Sequence, residues 1–334
     1  MRLTLFNVVA AVIAAIAFAA VNAAYLVWAE RRGAARIQRR PGPNINGPFG
    51  LLQPPLDGIK LMAKQLTIPG GADKILFITA PVLAMFPAIM SFVTIPFSES
   101  IVAKNMNVGI LMIFAFAALG STSLLFAGWS SRNKYAMMAS IRAVSQTVAY
   151  EIPMLITTIT VVMIAGSMDL MEIVRQQSGS FLHWNIFPLL GNSHNILMPM
   201  SFLIFFTCTL AETNRAPFDL GEAESELVAG FHTEYGSMGF GLFFMGEYAN
   251  IVIGSCMTTI LFLGGWNPPF TFLSFIPGVF WFLIKLYFLI ATFIWIRWTF
   301  PRTTIYGLLN LSWKILIPLS LFNLLLTAGL IKVF

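Results

Sequence analysis

Half of the acidic residues in this sequence lie in one short stretch. Seven of its 14 Asp and Glu residues fall between positions 212 and 247, where Arg215 is the only Lys or Arg. Glu247 lies well inside an apolar run, and Glu151 lies inside another. A carboxylate at membrane depth is costly unless it faces a bundle interior or water, and such groups commonly exchange protons near neutral pH. The stretch therefore predicts a proton-accessible path.

Within this stretch the individual residues carry different expectations. Helical spacing would place Glu222 and Glu226 on one face of a helix, one turn apart. For Asp219, Glu224 and Glu234, a solvated acidic loop that caps helix ends explains the sequence equally well. Their part in the path stays open on spacing alone.

The region that follows the first apolar run is basic. It contains the charged residues 30–32, the Arg39-Arg40 pair, and Pro- and Gly-rich turns up to Lys60. Charged groups beside irregular backbone at membrane depth suit an amphipathic ligand with a polar head. Plain contact with anionic lipid is the alternative. Lys285, in the middle of a later apolar run, predicts a partner carboxylate or carbonyl.

These groups must be positioned by membrane helices. Apolar residues make up 57% of the 334-residue chain and charged residues only 10%, whereas soluble domains carry about 25% charged residues. This composition excludes a freely soluble globular protein, and the continuous apolar runs favour helices over a β-barrel. We predict an all-α polytopic membrane protein that forms a single membrane domain over residues 1–334. Its eight predicted apolar segments are 3–28, 75–97, 107–128, 143–166, 196–213, 238–263, 272–298 and 313–333.

The connections predict the orientation and two further helices. Most Lys and Arg residues lie in the odd-numbered connections, so these are expected to face the cytoplasm, or its organellar equivalent, with both termini outside. Short amphipathic helices are expected around 51–64 and 168–174. The N-terminal apolar run is too long for a signal peptide and is predicted to be the first span.

Several kinds of chemistry are excluded. Cys208 and Cys256 both lie in apolar runs, which excludes a disulfide framework, a Cys-rich zinc site and a thiolate iron–sulfur site. His183, His194 and His232 form no i, i+4 pair, so no metal centre held by this chain alone is expected. No phosphate-binding loop or dinucleotide fingerprint occurs. Any redox role must therefore be shared with partner proteins, and the basic excess indicates membrane topology rather than nucleic-acid binding.

Three stretches together carry a resemblance. The first stretch comprises residues 211–220, which read AETNRAPFDL, residues 222–231, which read EAESELVAGF, and Glu234-Tyr235. The second stretch is GWSS at residues 128–131, followed by Lys134-Tyr135. The third is the segment from Arg39 to Lys60. Over essentially its whole length the sequence resembles the eight-helix membrane subunit of respiratory complex I that is called subunit 1 or the H subunit.

The resemblance implies a quinone chamber where the membrane arm meets the peripheral arm. It also implies the start of an acidic path that couples quinone reduction to proton pumping. The residues implied for the chamber are Glu30, Arg31, Asp57, Lys60, Phe231, Arg297 and Arg302. The residues implied for the path are Glu212, Asp219, Glu222, Glu224, Glu226, Glu247 and Glu151.

The same resemblance implies the partners and the location. Quinone would be the substrate, and this chain would hold no cofactor of its own. NADH, flavin and iron–sulfur clusters would be bound by partner subunits, including the peripheral subunit with the terminal cluster. Small membrane subunits, antiporter-like subunits and membrane lipids would be the other partners. The location implied is a bacterial inner membrane, with the mitochondrial inner membrane as an alternative.

Two departures from the family pattern and two rival functions remain open. After Arg302 the family usually has an arginine and then an aromatic–aspartate pair, whereas residues 303–306 read TTIY; position 65 is Gln where the family often has Glu. One rival is the related subunit of a membrane-bound hydrogenase or ferredoxin-linked complex. The other is a stand-alone proton transporter, which the absence of an internal repeat disfavours.

Overall fold

The computed structural model describes residues 5–187, 196–222 and 224–333. Every regular element in these ranges is helical, which confirms the predicted fold class. The helices are α1 (Leu5–Ile37), α2 (Gln53–Ala63), α3 (Lys74–Thr94), α4 (Gly109–Ser130), α5 (Lys134–Ala165), α6 (Leu170–Gln176), α7 (Met198–Glu212), α8 (Glu224–Leu227), α9 (Ser237–Phe262), α10 (Gly278–Thr299), α11 (Ile305–Asn310) and α12 (Ile317–Val333), with a π-helical segment, Leu311–Leu316, between the last two.

Each of the eight predicted apolar segments contains a helix. Within the described residues, α3, α4, α5, α9, α10 and the last span, Ile305–Val333, are long and apolar enough to cross a membrane. The apolar helix α7 has 15 residues and covers about 23 Å, less than the ~30 Å hydrocarbon core. α1 has 33 residues, of which the apolar part ends near Trp28. The chain is therefore a membrane-integral, all-α protein.

Three spans extend two turns or more beyond their predicted limits. α1 continues past residue 28 to Ile37, and the last span starts at Ile305 rather than at 313. α5 starts at Lys134 rather than at 143, because the side chain of Asn133 accepts a hydrogen bond from a backbone N–H of the first turn. The added turns carry polar residues, so the apolar runs did not include them.

The helix α9 lies at the centre of the bundle. It contacts α1, α2, α3, α6, α7 and α10. A Cβ at Gly254 would lie 2.1 Å from Cγ2 of Thr209, so α7 and α9 approach each other more closely than any larger residue would permit. This packing brings Glu247 of α9 and Glu212 of α7 into the same interior.

The two predicted short helices are both present, but they differ in their surroundings. α2 buries none of its residues, as expected for a helix at a membrane interface. α6 buries Leu170, Met171, Ile173 and Val174, and it packs against α9. The segment around 168–174 therefore contains a short amphipathic helix, as predicted, with its apolar face against protein and Arg175 exposed.

The connection between α7 and α9 is mostly irregular. The expectation that Glu222 and Glu226 share one helix face is wrong, because the helix in this region is the single turn α8 and Glu222 precedes it. Gly230 has a φ of +65°, and a Cβ there would lie 2.1 Å from the carbonyl oxygen of Gly221. The chain thus folds back on itself around α8, which leaves no room for a longer helix.

Candidate functional site

Four charged side chains form a buried cluster beside α9, here called the Arg–His–Glu cluster. Nη2 of Arg215 lies 2.9 Å from Oε2 of Glu247, and Nη1 lies 3.9 Å from Oε2 of Glu222. Nε2 of His232 lies 3.1 Å from Oε1 of Glu222 and 3.5 Å from Oε1 of Glu247. Each carboxylate therefore faces both basic groups, which offsets the cost of taking the charges out of water.

Neighbouring helices fix the position of Arg215. The Nε2 group of Gln146, on α5, donates hydrogen bonds to the backbone carbonyls of Ala211 and Phe218, both at 2.7 Å. These bonds clamp the two ends of the turn that carries Arg215. The guanidinium itself lies over two aromatic rings of α9, 4.7 Å from the centroid of Tyr248 and 5.2 Å from that of Phe244.

The charges of the cluster shift the protonation of the residues in the α7–α9 connection. Burial would lower the pKa of His232, but its hydrogen bonds with Glu222 and Glu247 outweigh burial and raise that pKa to about 9. Burial would raise the pKa of Glu222, but the hydrogen bond from His232 and the charge of Arg215 bring it down to about 2. At neutral pH, His232 is therefore protonated and Glu222 is ionised.

An open cleft of about 700 Å³ lies on one side of the cluster. Glu222 and His232 line it together with Asp219, Arg297 and Arg302. Burial, and then the negative charge of Glu222, raise the pKa of Asp219 to about 6, although nearby arginines oppose the shift. The cleft thus combines basic groups with an acid that titrates near neutral pH.

A second chain of contacts runs from the cluster to α1. The hydroxyl of Tyr248 donates a hydrogen bond to Glu30 at 2.5 Å, and Glu30 also pairs with Arg297 of α10. Glu30, Tyr248, Arg297 and Arg215 line one small cavity of about 20 Å³. Because Arg297 also lines the cleft, the structure connects Glu30 with the groups around Asp219.

Within the helix bundle, three carboxylates share an inner cavity. Glu151 of α5, Glu212 of α7 and Glu247 of α9 line a narrow space of about 40 Å³, together with Asn214 and Asn250. A water molecule needs roughly 10–15 Å³ by this measure, so the cavity has room for about three waters. Glu212 and Asn250 also line an adjoining cavity of similar size. The two carboxylates predicted inside apolar runs therefore line the same interior cavity.

Other residues predicted for the quinone chamber lie apart from the cleft. Arg31 and Asp57 form an exposed ion pair, with 2.9 Å between Nη1 and Oδ2. Lys60 is exposed on α2. Phe231 is fully buried and packs against His232, with the ring centroids 3.8 Å apart. Phe231 packs against the His232 ring of the cluster and does not line the cleft.

Two acidic residues of the same connection have other partners, and the side chain of Glu224 lies outside the described part. Glu226 is more than half exposed and accepts a 2.6 Å hydrogen bond from Arg142, a bond that lowers the pKa of Glu226. Glu234 accepts a 2.7 Å hydrogen bond from Asn133, the residue that caps α5. Glu234 thus ties the connection to the start of α5, where Asn133 and not Glu234 caps the helix.

One group among the described residues has the spacing of a metal site. Ligand atoms of Glu222, His232 and Glu247 all lie within 4.8 Å of one another. Arg215, however, already places a cation against both carboxylates. The two carboxylates thus surround the guanidinium of Arg215 rather than a metal ion. His194 lies outside the described residues.

Comparison with known proteins identifies the family. The model of the NADH dehydrogenase family matches residues 10–328. The H subunit of NADH-quinone oxidoreductase from Desulfotalea psychrophila is 77% identical over 334 residues, covering 100% of this chain and 99% of that protein. The chain belongs to this family of complex I membrane subunits. The corresponding H subunits of Rhodospirillum centenum and Rickettsia prowazekii are 44% and 47% identical, covering 98% and 92% of this chain and 94% and 88% of those proteins.

In this member of the complex I family, Arg297 and Arg302 are expected from the resemblance, but the sequence does not predict the basic residues of the Arg–His–Glu cluster. Arg215 was noted only as the lone basic residue of the acidic stretch, and that isolation was itself the available signal, since a single cation among seven carboxylates has buried partners to satisfy. His232 was considered only as a metal ligand. Tyr248 follows Glu247 directly and gave no signal of its own, because its partner lies 218 residues away.

Proposed function

We propose that this chain forms the quinone-binding chamber of a proton-pumping NADH-quinone oxidoreductase and the first part of its proton-coupling path. The chain is a membrane-integral member of a complex I subunit family, so its partners are other subunits of complex I. The proposal adds which of its residues contact quinone, which ones carry protons, and which subunits adjoin it. Membrane lipids are the remaining neighbours, and no nucleic acid takes part.

The cleft supports the quinone part of the proposal. Quinone is the substrate, with an apolar tail and a polar head, and it accepts two electrons and two protons to become quinol. The electrons would come from the terminal iron–sulfur cluster of a peripheral-arm subunit, supplied by NADH and flavin in other subunits. Arg297 and Arg302 offer positive charge to the head, while Glu30 holds Arg297 in place.

The carboxylates support the proton part. Reduction brings negative charge into the cleft, which changes the protonation of groups whose pKa lies near neutral, and Asp219 is one such group. The observation on which the proposal depends is that Glu247 belongs to both halves of the site. It pairs with Arg215 and His232 on the cleft side, and it lines the inner cavity with Glu212 and Glu151.

The orientation follows from the charge distribution. We place the cleft and the odd-numbered connections on the cytoplasmic side of a bacterial inner membrane, with both termini on the other side. In this orientation the cleft faces the peripheral arm. The antiporter-like and small membrane subunits would then continue the path from the inner cavity.

The proposal is tested by changing a carboxylate of the inner cavity in the intact complex. Glu212→Gln should leave assembly unchanged but abolish coupled quinone reduction and proton pumping in membrane vesicles. The matched control is Glu99→Gln, because Glu99 is exposed, pairs with Arg175 and lies outside the cavities. Wild-type turnover and pumping in Glu212→Gln would refute the path, as would an equal loss in Glu99→Gln.

A further inference from the structure

The outer face of α1 carries a groove that the proposed function does not use. Trp28, Arg32 and Arg36 line one wall, and Phe49 and Leu51 line the other, around an open volume of about 520 Å³. It shares no lining residue with the cleft or with the cavities around the carboxylates. The groove is therefore a separate feature of the molecule.

The groove is positioned at the membrane surface. The apolar run of α1 ends near Trp28, and tryptophan is typical of the boundary between hydrocarbon and headgroups. Arg32 and Arg36 follow at intervals of four residues, so all three lie on one face of the helix. This order along the helix, from aromatic ring to successive arginines, matches the order of acyl chain, glycerol and phosphate in a phospholipid.

The opposite wall is held rigidly although it is exposed. The backbone carbonyl of Phe49 accepts a 3.0 Å hydrogen bond from Nε1 of Trp28 and a 2.8 Å hydrogen bond from Nη1 of Arg32. Phe49 has a φ of +56°, a costly conformation for a residue with a side chain, yet 64% of it is exposed. The turn thus fixes an apolar ring in an outward position beside the arginines.

Among the described residues, no acidic group neutralises the charge of the groove. None of its lining residues is acidic, and none of the ion pairs among the described residues involves Arg32 or Arg36. Arg36 is exposed. Arg32 gives one nitrogen to the Phe49 carbonyl, and its guanidinium carbon lies 5.4 and 4.9 Å from the ring centroids of Trp28 and Phe49. Two arginines without an acidic partner, beside exposed apolar side chains, complement an anionic amphipathic molecule.

We propose that this groove binds one anionic phospholipid, with its phosphate between Arg32 and Arg36 and its glycerol and upper acyl region against Phe49 and Leu51. The lipid is selected by its negative headgroup, because the arginines provide the polar contacts. It packs beside the first span without entering the cleft. The site is preformed, since the Trp28 and Arg32 hydrogen bonds hold its second wall in place.

The intact complex, purified in detergent, tests this assignment with a photoreactive phosphatidylglycerol. Cross-links mapped by mass spectrometry should fall on the peptides that contain Trp28 to Arg36 and Phe49 to Leu51. Unlabelled phosphatidylglycerol should compete with the probe, and phosphatidylcholine should not. In Arg36→Gln, the concentration of unlabelled phosphatidylglycerol that halves the cross-linking should rise about fivefold, the usual effect on lipid affinity of losing one basic residue at an anionic membrane surface. Arg40→Gln is the matched control, because Arg40 is exposed nearby and hydrogen bonds to Gln38 outside the groove.

Three outcomes would overturn the proposal. Equal competition by phosphatidylcholine would mean that the groove contacts lipid without selecting charge. An unchanged affinity in Arg36→Gln would mean that the arginines do not hold the phosphate. Protein cross-links to a neighbouring subunit in place of lipid cross-links would mean that another protein covers the groove. None of these outcomes bears on the quinone cleft, whose activity is expected to be unchanged in Arg36→Gln.

Discussion

The hydroxyl of Ser312 donates a hydrogen bond to the backbone carbonyl of Ala149. In α5 this carbonyl would normally accept from the residue four positions later, but that residue is Pro153, which has no N–H. Ser312 lies in the π-helical segment of the last span and is fully buried. A second helix therefore satisfies the interrupted turn of α5 that contains Glu151.

Replacing this hydroxyl should destabilise the protein at that turn. Ser312→Ala leaves the buried Ala149 carbonyl without its partner, which costs about 1–3 kcal/mol. We expect a lower midpoint of thermal dissociation for the purified complex. Ser320→Ala is the control, because Ser320 is equally buried but its hydroxyl bonds to Ile317 within its own helix. Equal midpoints for the two variants would mean that the Ala149 carbonyl finds another donor.

The spans were predictable because each one needs about 20 apolar residues, and such runs are visible in the sequence. The ends of the spans were harder to predict. The end of α1 at Ile37 and the start of α5 at Lys134 depend on polar turns that continue a helix outside the membrane. The single turn α8 was also missed, because the backbone contact between Gly221 and Gly230 overrides the helical spacing of the glutamates.

In the Arg–His–Glu cluster, the acidic residues were predictable and the basic residues were not. A carboxylate at membrane depth must face a cavity or a partner, so the sequence alone placed Glu151 and Glu247 in the interior. Which cation each carboxylate meets depends on tertiary packing. Arg215 reaches Glu247 across 32 positions, and Tyr248 reaches Glu30 across 218. A local sequence pattern cannot predict contacts between residues so far apart in the chain.

Arg215 should be the least replaceable residue of the cluster. Arg215→Gln leaves Glu222 and Glu247 buried together without their main counter-charge, and breaking a buried ion pair in this way costs about 3–5 kcal/mol. We expect little assembled complex in membranes, measured by quantitative immunoblotting. Arg142→Gln removes an arginine whose partner, Glu226, is mostly exposed, and it should assemble normally. Normal assembly of Arg215→Gln would mean that His232 alone compensates the carboxylates.

His232 should make the stability of the complex depend on pH. Its pKa is about 9 in the folded protein against 6.5 for a free histidine. The folded state therefore binds the extra proton more tightly, so the stabilisation is complete below pH 6.5 and is lost as the pH rises through about 9. The thermal midpoint of the wild type should exceed that of His232→Gln most at pH 6, and the difference should shrink by pH 9.5. His183→Gln is the control, because it removes a histidine from an exposed site without breaking an ion pair. A constant difference for His232→Gln across this range would contradict the assignment.

Lys285 should hold the end of α9 rather than take part in proton transfer. Its Nζ donates hydrogen bonds to the carbonyls of Leu263, Gly265 and Asn267 at 2.7, 2.9 and 2.7 Å, which confirms the predicted carbonyl partners. It also lies 3.9 Å from the centroid of the Trp184 ring. Because water is scarce at this depth, the three carbonyls depend on the ammonium for their hydrogen bonds.

Lys285→Met keeps the length of the side chain but removes all three donors. A hydrogen bond from a charged group contributes about 1.5–3 kcal/mol, so losing three should lower the thermal midpoint strongly and reduce the amount of assembled complex. Lys314→Met, at an exposed position of the last span, is the control and should behave as wild type. In the small fraction that assembles, quinone reductase activity per complex should be retained, because Lys285 lines neither the cleft nor the inner cavity. A stable Lys285→Met complex would mean that the other hydrogen bonds of the loop hold it, among them those from the Gly264 N–H to Gln177 at 3.0 Å and from Asn267 to the Val174 carbonyl at 2.7 Å.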